Sequence, residues 1–102
     1  MNEKKGMTLA ELKNLLAANT TNLKVMDIRT AAEFNNLHIP VAENFDAADL
    51  GSKLSSFSKD DTIVCVCNKG HERSQSAAAF LYNSGFENTF YLEGGILGWF
   101  EQ

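Results

Sequence analysis

Residues 62–74 read TIVCVCNKGHERS, and this stretch decides the fold. Its first part, 62–67, is an almost unbroken apolar run, which is typical of a strand buried on both faces of a sheet. The polar part that follows leads into a helix predicted over 74–84, with Gly85 placed to end it in a left-handed conformation. We therefore expect a strand at the centre of a sheet, then a polar loop, then a helix.

Outside this stretch, short apolar runs alternate with helical patterns. Two Thr-x-x-Glu capping boxes, at Thr8 and Thr30, predict helix starts, and Pro40 limits the second helix by favouring an extended backbone before it. This alternation favours an α/β fold, a three-layer sandwich with a mostly parallel central sheet flanked by helices. The other predicted helices cover about 9–18, about 31–36 and a segment capped by Asp46, and the other predicted strands cover 23–28, 41–45 and 89–92.

The length and composition fit one globular domain over residues 1–102. Hydrophobic residues make up 44% of the chain and charged residues 22%, and a second domain would lack the chain for its own core. The net charge is −4 and the basic residues are scattered between Lys4 and Arg73, so we expect no nucleic-acid partner. The longest apolar run, 77–82, is too short to cross a bilayer, and no signal-peptide pattern follows the first lysines. We expect a cytoplasmic protein with no membrane partner.

The loop between the central strand and its helix is the predicted active site. Ligands of open parallel sheets collect at the carboxyl ends of strands, and a loop entering a helix can direct several backbone N–H groups at an anion. Cys67 begins this loop, where the amides, the helix N-terminus and the charge of Arg73 would favour the thiolate. We predict that Cys67 is the catalytic nucleophile and that the substrate is bound by Asn68, Lys69, Gly70, His71, Glu72, Arg73 and Ser74.

A simpler interpretation of Cys67 is a small core residue that ends an apolar strand. The Gly, Arg and Ser that follow it before a helix start are not needed by a structural cysteine, and they favour the nucleophile. Cys65 is predicted to be buried and inert. If the two cysteines share a strand face, their Cβ vectors run parallel and are poorly placed for a disulfide.

Other site chemistries find little support in the sequence. Cys67 and His71 would supply only two metal ligands, and His38 is the sole remaining histidine, so no metal site is predicted. The sequence contains no Gly-x-Ser-x-Gly elbow, no Gly-x4-Gly-Lys-Ser/Thr phosphate loop and no dinucleotide fingerprint. Ser74 is better explained as a helix-start residue than as part of a hydrolase triad.

Taken in order, residues along nearly the whole chain resemble the rhodanese-like domain family. The landmarks before the loop are Asp27-Ile28-Arg29, Glu33-Phe34, and His38-Ile39-Pro40 with Ala42 and Asn44. Those after the loop are Gly85-Phe86, Leu92, Glu93-Gly94-Gly95 and Trp99, which are similar to the family's closing strand, Gly-Gly turn and aromatic-anchored helix. No single piece is specific, but the ordered set is.

The resemblance implies a sulfurtransferase. In that family the loop cysteine accepts a sulfane sulfur from a small anionic donor such as thiosulfate, becomes a persulfide, and passes the sulfur to a nucleophilic acceptor such as a thiol or cyanide. The loop amides and Arg73 would place the donor beside the Cys67 thiolate. No metal or organic cofactor is required, and a protein acceptor stays open.

The loop is one residue longer than the usual sulfurtransferase pattern. The family usually has four residues between the Cys and the Arg, whereas five, 68–72, stand between them here. Five is the spacing of the related cell-division-cycle phosphatases and arsenate reductases, and Glu72-Arg73 also resembles the Glu-Arg that ends the phosphatase loop. Against that likeness, Gly70 fits the sulfurtransferases, and Val66 stands where the phosphatases and reductases usually have His. Two alternatives therefore stay open: a phosphatase or arsenate reductase, and a non-catalytic binding or sensor domain with an unreactive Cys67.

Residues outside the loop receive supporting roles. Asp27 and Arg29 are expected to fix the neighbouring loops, with Arg29 paired to Glu33. Trp99 is expected to pack rather than to bind substrate. The glycines at 94–95 fit a tight turn, because such a turn needs permissive backbone angles.

Overall fold

The computed structural model describes residues 5–101, in which five strands form one sheet. Lys4 and the outermost residues of the predicted 1–102 domain lie outside the described residues. The strands are β1 (Gly6–Met7), β2 (Leu23–Asp27), β3 (Glu43–Asn44), β4 (Thr62–Val66) and β5 (Thr89–Leu92). The helices are α1 (Leu9–Ala17), α2 (Ala31–Asn36), α3 (Glu72–Asn83), α4 (Gly95–Glu101) and a 3₁₀ helix (Ala47–Ser56).

The strands lie in the order β1-β5-β4-β2-β3, and each pairing among the described residues is parallel. The predicted central strand is confirmed, because β4 has two strands on either side. The two edge strands, β1 and β3, have two residues each. This arrangement brings the carboxyl ends of β2, β4 and β5 together at one edge of the sheet.

Side chains of β4 alternate between two apolar cores, one on each face of the sheet. Ile63 and Cys65 belong to the core under α3 and the 3₁₀ helix. Val64 and Val66 belong to the core under α1, α2 and α4. Both faces of the strand are buried, which explains its unbroken apolar sequence, and the predicted three-layer α/β sandwich is confirmed. Within residues 5–101, no helix has the length and apolarity needed to span a membrane.

Both predicted capping boxes are formed. The Thr8 hydroxyl accepts from the Glu11 N–H at 3.1 Å, and the Glu11 carboxylate accepts from the Thr8 N–H at 2.8 Å. Thr30 and Glu33 repeat the pattern at 3.3 and 3.1 Å. These reciprocal bonds satisfy amides that a helix leaves without partners, and they begin α1 and α2 where the sequence predicts.

The end of α3 also follows the prediction. Gly85 has φ +102°, and its N–H donates to the Tyr82 carbonyl at 3.1 Å. The Phe86 N–H donates to the Leu81 carbonyl at 3.0 Å. These two bonds form a Schellman motif, for which a residue without a Cβ is favoured at the left-handed position.

Four features differ from the sequence prediction. Helix α3 begins at Glu72 rather than at 74, because the His71 carbonyl accepts from the Gln75 N–H at 3.0 Å and closes the first turn earlier. The segment capped by Asp46 is a 3₁₀ helix, and the strand predicted over 41–45 is limited to β3. Strand β1 was not predicted, because two residues carry no periodic pattern and pair only once β5 is in place.

Candidate active site

Loop 67–71, which joins β4 to α3, lies where the carboxyl ends of three strands meet. The Ile28 N–H, just beyond β2, donates to the Val66 carbonyl at 3.1 Å, which holds the end of β2 against the loop. The turn after β5 packs on the other side, at Gly94 and Gly95. The predicted loop is therefore the place where neighbouring segments converge, as expected for a ligand site of a parallel sheet.

Helix α4 holds the carbonyl groups of the loop. The Ile96 N–H donates to the Cys67 carbonyl at 2.9 Å, and the Leu97 N–H donates to the Asn68 carbonyl at 3.0 Å. Amides at the start of a helix have no partner within the helix, so these two bonds satisfy both elements at once. Sequence reasoning missed this support, because nothing in the local pattern joins residues almost 30 positions apart.

Two glycines make that close packing possible. Gly70 has φ +74°, and a Cβ there would clash with the Leu92 carbonyl oxygen. Gly95 has φ +57°, and a Cβ there would clash with the Cys67 and Asn68 carbonyl oxygens. Any other residue at either position would strain its own backbone and push the loop away from the turn after β5.

The sulfur of Cys67 lies at the floor of the loop, and the residue is only 3% exposed. The thiol donates to the Ser74 hydroxyl at 3.1 Å while that hydroxyl donates to the His71 carbonyl at 3.3 Å, and once the thiol loses its proton the hydroxyl can turn to donate to the sulfur instead. Burial raises the pKa of the Cys67 thiol, but the Ser74 hydroxyl and the backbone N–H groups of Ser74, His71 and Gly70 outweigh burial and hold the pKa below its usual value. The site thus favours a thiolate by hydrogen bonding.

Cys65 lies in a different environment on the same face of the sheet. It is 0% exposed, and burial, followed by the nearby Cys67, raises the pKa of its thiol to about 12. Both cysteines are free. The prediction that Cys65 is buried is confirmed.

A buried ion pair supports the loop from the end of β2. Arg29 forms a two-point contact with Asp27, Nε to Oδ1 at 2.9 Å and Nη2 to Oδ2 at 2.7 Å, and the two residues are 4% and 0% exposed. The same guanidinium donates to the Asn68 side-chain oxygen at 3.1 Å and to the Leu37 carbonyl at 2.6 Å. The prediction that Asp27 and Arg29 fix the neighbouring loops is consistent with these contacts, because they join the loop to the segment after α2.

The expected pairing of Arg29 with Glu33 is wrong. Glu33 instead pairs with Arg73, Oε1 to Nη1 at 3.0 Å, and Asn68 donates to Glu33 at 3.3 Å. The Arg73 hydrogen bond, followed by the Thr30 N–H, lowers the pKa of Glu33 to about 2. Because Arg29 is already paired with Asp27, Glu33 pairs instead with Arg73, which α3 places nearby.

Most of the predicted substrate-binding residues surround one small depression. Its volume is about 310 Å³, and it is lined by Cys67, Asn68, Lys69, His71, Glu72 and Arg73. Of the two remaining residues, Ser74 is buried beneath the sulfur and Gly70 turns toward the residues after β5. Within residues 5–101, no three His, Cys, Asp or Glu side chains are grouped as a metal site would need.

Comparison with known proteins identifies the family of this chain. A family model of the rhodanese-like domain matches residues 8–102. The chain belongs to the rhodanese-like domain family. Thiosulfate sulfurtransferase GlpE of Shewanella oneidensis is 35% identical to this domain over 80 residues, which cover 78% of each chain. A sulfurtransferase of Allochromatium vinosum is 34% identical over 82 residues, covering 80% of this chain and 76% of the relative.

Solved structures show the same rhodanese-like fold. The human single-domain sulfurtransferase TSTD1 matches with a TM-score of 0.87 over 98% of both chains, at 24% identity. The resemblance to the family is therefore confirmed. The prediction of a sulfurtransferase-type enzyme is confirmed as well, since relatives 33–36% identical over most of the chain are sulfurtransferases. A sulfur donor and a sulfur acceptor follow in general terms, and the roles of the single site residues stay predictions.

Proposed function

We propose that this rhodanese-like domain moves a sulfane sulfur from a small anionic donor, such as thiosulfate, to a thiol or similar nucleophile through a persulfide on Cys67. The observation that carries the proposal is the environment of the Cys67 sulfur. The sulfur is buried, yet the Ser74 hydroxyl and the loop amides hold the pKa of the thiol below its usual value. A thiolate is the form that attacks sulfur, so the residue best prepared for this reaction is Cys67.

In the first half-reaction the Cys67 thiolate attacks the outer sulfur of thiosulfate. A new S–S bond forms to Sγ, the S–S bond within thiosulfate breaks, and sulfite leaves with the electron pair. Backbone N–H groups at the start of α3 suit the sulfonate oxygens of the donor, because they carry partial positive charge without a mobile counterion. Lys69, on the rim of the depression, adds a positive charge toward the same anion.

In the second half-reaction the acceptor takes the outer sulfur of the persulfide. A thiolate, or cyanide, attacks that sulfur, the bond to Sγ breaks, and Cys67 regains its thiolate. The same hydrogen bonds that favour the thiolate before the cycle also make it a better leaving group at the end. Relatives named thiosulfate sulfurtransferase support this choice of donor.

The test is intact mass measurement after incubation with thiosulfate and removal of excess donor. We expect one added sulfur in the wild type and in Cys65→Ala, and none in Cys67→Ser. Cys65→Ala is the matched control, because it removes the other free cysteine, which lies on β4 two residues before Cys67. If no added sulfur is found with thiosulfate or with an organic thiosulfonate, the persulfide proposal fails.

A second candidate is a phosphatase or arsenate reductase, favoured by the five-residue spacing between Cys67 and Arg73. In that reaction Arg73 would bind the oxyanion, and it would have to exchange its contact with Glu33 for the substrate. Hydrolysis of an aryl phosphate or reduction of arsenate, measured on the same preparation and abolished in Cys67→Ser, would favour this candidate. Neither activity is expected to approach the rate of sulfur transfer.

A further inference from the structure

An apolar groove runs beside the Cys67 depression, between the 3₁₀ helix and α3. Its volume is about 520 Å³. One wall includes Ala47, Leu50 and Gly51, and the other includes Ala77 and Phe80. The size lies within the roughly 300–1,000 Å³ of small-molecule sites. The mechanism described above makes no use of this groove.

The groove is adjacent to the depression that holds the sulfur. Glu72 and Arg73 line both of them. Along α3, the groove residues Arg73, Ala77 and Phe80 share one helix face, and the distance from the first to the last is about 10 Å at ~1.5 Å per residue. A molecule lying in the groove would therefore have one end beside the depression that Cys67 lines.

The far end of the groove exposes an aromatic ring. Phe80 is 42% exposed although it is one of the largest apolar side chains on α3. Gly51 faces it across the groove, and a Cβ built on Gly51 would meet only the Phe80 ring, at 3.9 Å. The exposed ring gives an apolar group of a ligand a surface to cover, and the missing side chain at Gly51 leaves that ring open on the groove side.

The charge where the groove and the Cys67 depression meet is negative. Glu72 is exposed and forms no salt bridge within residues 5–101, whereas Arg73 is paired with Glu33. Lys69 lines the depression but not the groove. An anionic donor is therefore favoured on the Lys69 side, and an anionic acceptor arriving along the groove would be repelled by Glu72.

We propose that the sulfur acceptor is a neutral or cationic thiol with an apolar body, and that this body binds in the groove. The inference rests on the proposed function, since it concerns the second half-reaction. The acceptor thiolate attacks the outer sulfur, R–S⁻ + Cys67–S–SH → R–S–SH + Cys67–S⁻. One S–S bond forms and one breaks, and no external oxidant or reductant is needed.

The experiment uses protein loaded with one sulfur and measures how fast thiols of increasing length remove it. The probes are ethanethiol, butanethiol and hexanethiol, which have similar thiol acidity and differ in apolar length. We expect the half-saturating concentration to fall roughly twofold per methylene, because a fully buried methylene is worth roughly fourfold and the groove is open on one side. Mercaptohexanoate, with a carboxylate at the far end, is expected to bind more weakly than hexanethiol.

Three substitutions test the groove and its charge, and a fourth is a control. Gly51→Leu is expected to remove the dependence on chain length without changing sulfur loading from thiosulfate, since the added side chain fills the groove. Ala17→Leu, on the exposed face of α1, is the matched control and should retain that dependence. Glu72→Gln is expected to improve the use of mercaptohexanoate relative to hexanethiol at low ionic strength, and this gain should shrink as salt is added. Phe80→Ala should weaken hexanethiol binding if Gly51→Leu does not fold.

The outcomes separate the two proposals. A protein that takes up no sulfur overturns both the proposed function and this acceptor. A protein that loads normally, but whose persulfide is removed equally well by all three alkanethiols or best by mercaptohexanoate, overturns the groove alone. Retained chain-length dependence in a folded Gly51→Leu protein overturns it as well.

Discussion

The two cysteines of this chain lie one residue apart and have opposite chemistry. Both are buried, with 0% of Cys65 and 3% of Cys67 exposed, and both belong to the core under α3. Even so, the pKa of Cys65 is raised to about 12, while that of Cys67 is held below its usual value. Exposure to solvent therefore does not decide which sulfur can become a thiolate.

The difference lies in the backbone around each sulfur. Cys65 pairs with Met26 on one side and Tyr91 on the other, so the amides nearby are bound within the sheet. Cys67 stands just past the end of β4, where the chain leaves the ladder and the amides of Gly70 and His71 are available to the sulfur. A thiolate is stabilised where a strand ends and a helix begins, because unused amides point to one place there.

The largest expected contrast is in alkylation of the two sulfurs. At pH 7 a thiol with a pKa of about 12 is ionised in only about one molecule in 10⁵. Native protein treated with iodoacetamide should therefore gain one modification, at Cys67, and a second at Cys65 only after unfolding. Peptide mass spectrometry after timed quenching checks this, and modification of native Cys65 at a comparable rate would contradict the comparison.

The next largest effect is expected from a residue far from both cysteines in sequence. Gly95→Ala places a Cβ against the Cys67 and Asn68 carbonyls and forces a left-handed alanine. We expect a loss of about 2 kcal/mol in the free energy of unfolding and a roughly hundredfold slower alkylation of Cys67, since the loop amides lose their alignment. Chemical denaturation and alkylation kinetics measure the two effects.

Gly51→Ala is the control for that substitution. Its Cβ meets only the Phe80 ring, and φ at Gly51 is not positive. Stability and Cys67 reactivity should both stay close to those of the wild type. Equal losses in Gly51→Ala and Gly95→Ala would mean that the contact between α4 and the loop does not prepare the sulfur.

The sequence predicts the features that depend on neighbouring residues. The capping boxes at Thr8 and Thr30 and the left-handed Gly85 each require only a few consecutive positions, and all three are present. Strand β4 is equally clear, because burial on both faces leaves a continuous apolar run.

The features that the sequence does not predict depend on tertiary contacts. Glu33 is closer in sequence to Arg29 but pairs with Arg73, 40 positions away, because Asp27 already occupies Arg29. Likewise, the bonds from α4 to the loop carbonyls appear only when β5 has placed the Gly94-Gly95 turn. The loop could be located from the sequence, whereas the arrangement that orients its amides could not.

A smaller effect is expected from Ser74→Ala. The substitution removes the hydroxyl 3.1 Å from the Cys67 sulfur, so the pKa of Cys67 should rise and the midpoint of its alkylation profile should move to higher pH. At pH 7 we expect roughly tenfold slower alkylation, the size of one hydrogen bond to a charged group. Ser76→Ala, on the exposed side of α3, is the control. An unchanged profile in Ser74→Ala would leave the backbone amides alone responsible for the difference between the two sulfurs.

The smallest effect is expected from Arg73→Ala, although Arg73 has the formal charge that the sequence places near the sulfur. Its side chain is 44% exposed and its guanidinium is bound to Glu33, so its attraction to the Cys67 thiolate is both screened and shared. We expect alkylation of Cys67 at pH 7 to slow by about threefold or less.

Glu33→Gln is the matched variant, and it should speed alkylation slightly by releasing Arg73. Because Arg73 holds the pKa of Glu33 at about 2 in the wild type, the ion pair persists wherever Cys67 titrates, and the wild-type profile should show no second step above pH 4. A larger loss in Arg73→Ala than in Ser74→Ala would mean that charge, rather than hydrogen bonding, separates Cys67 from Cys65.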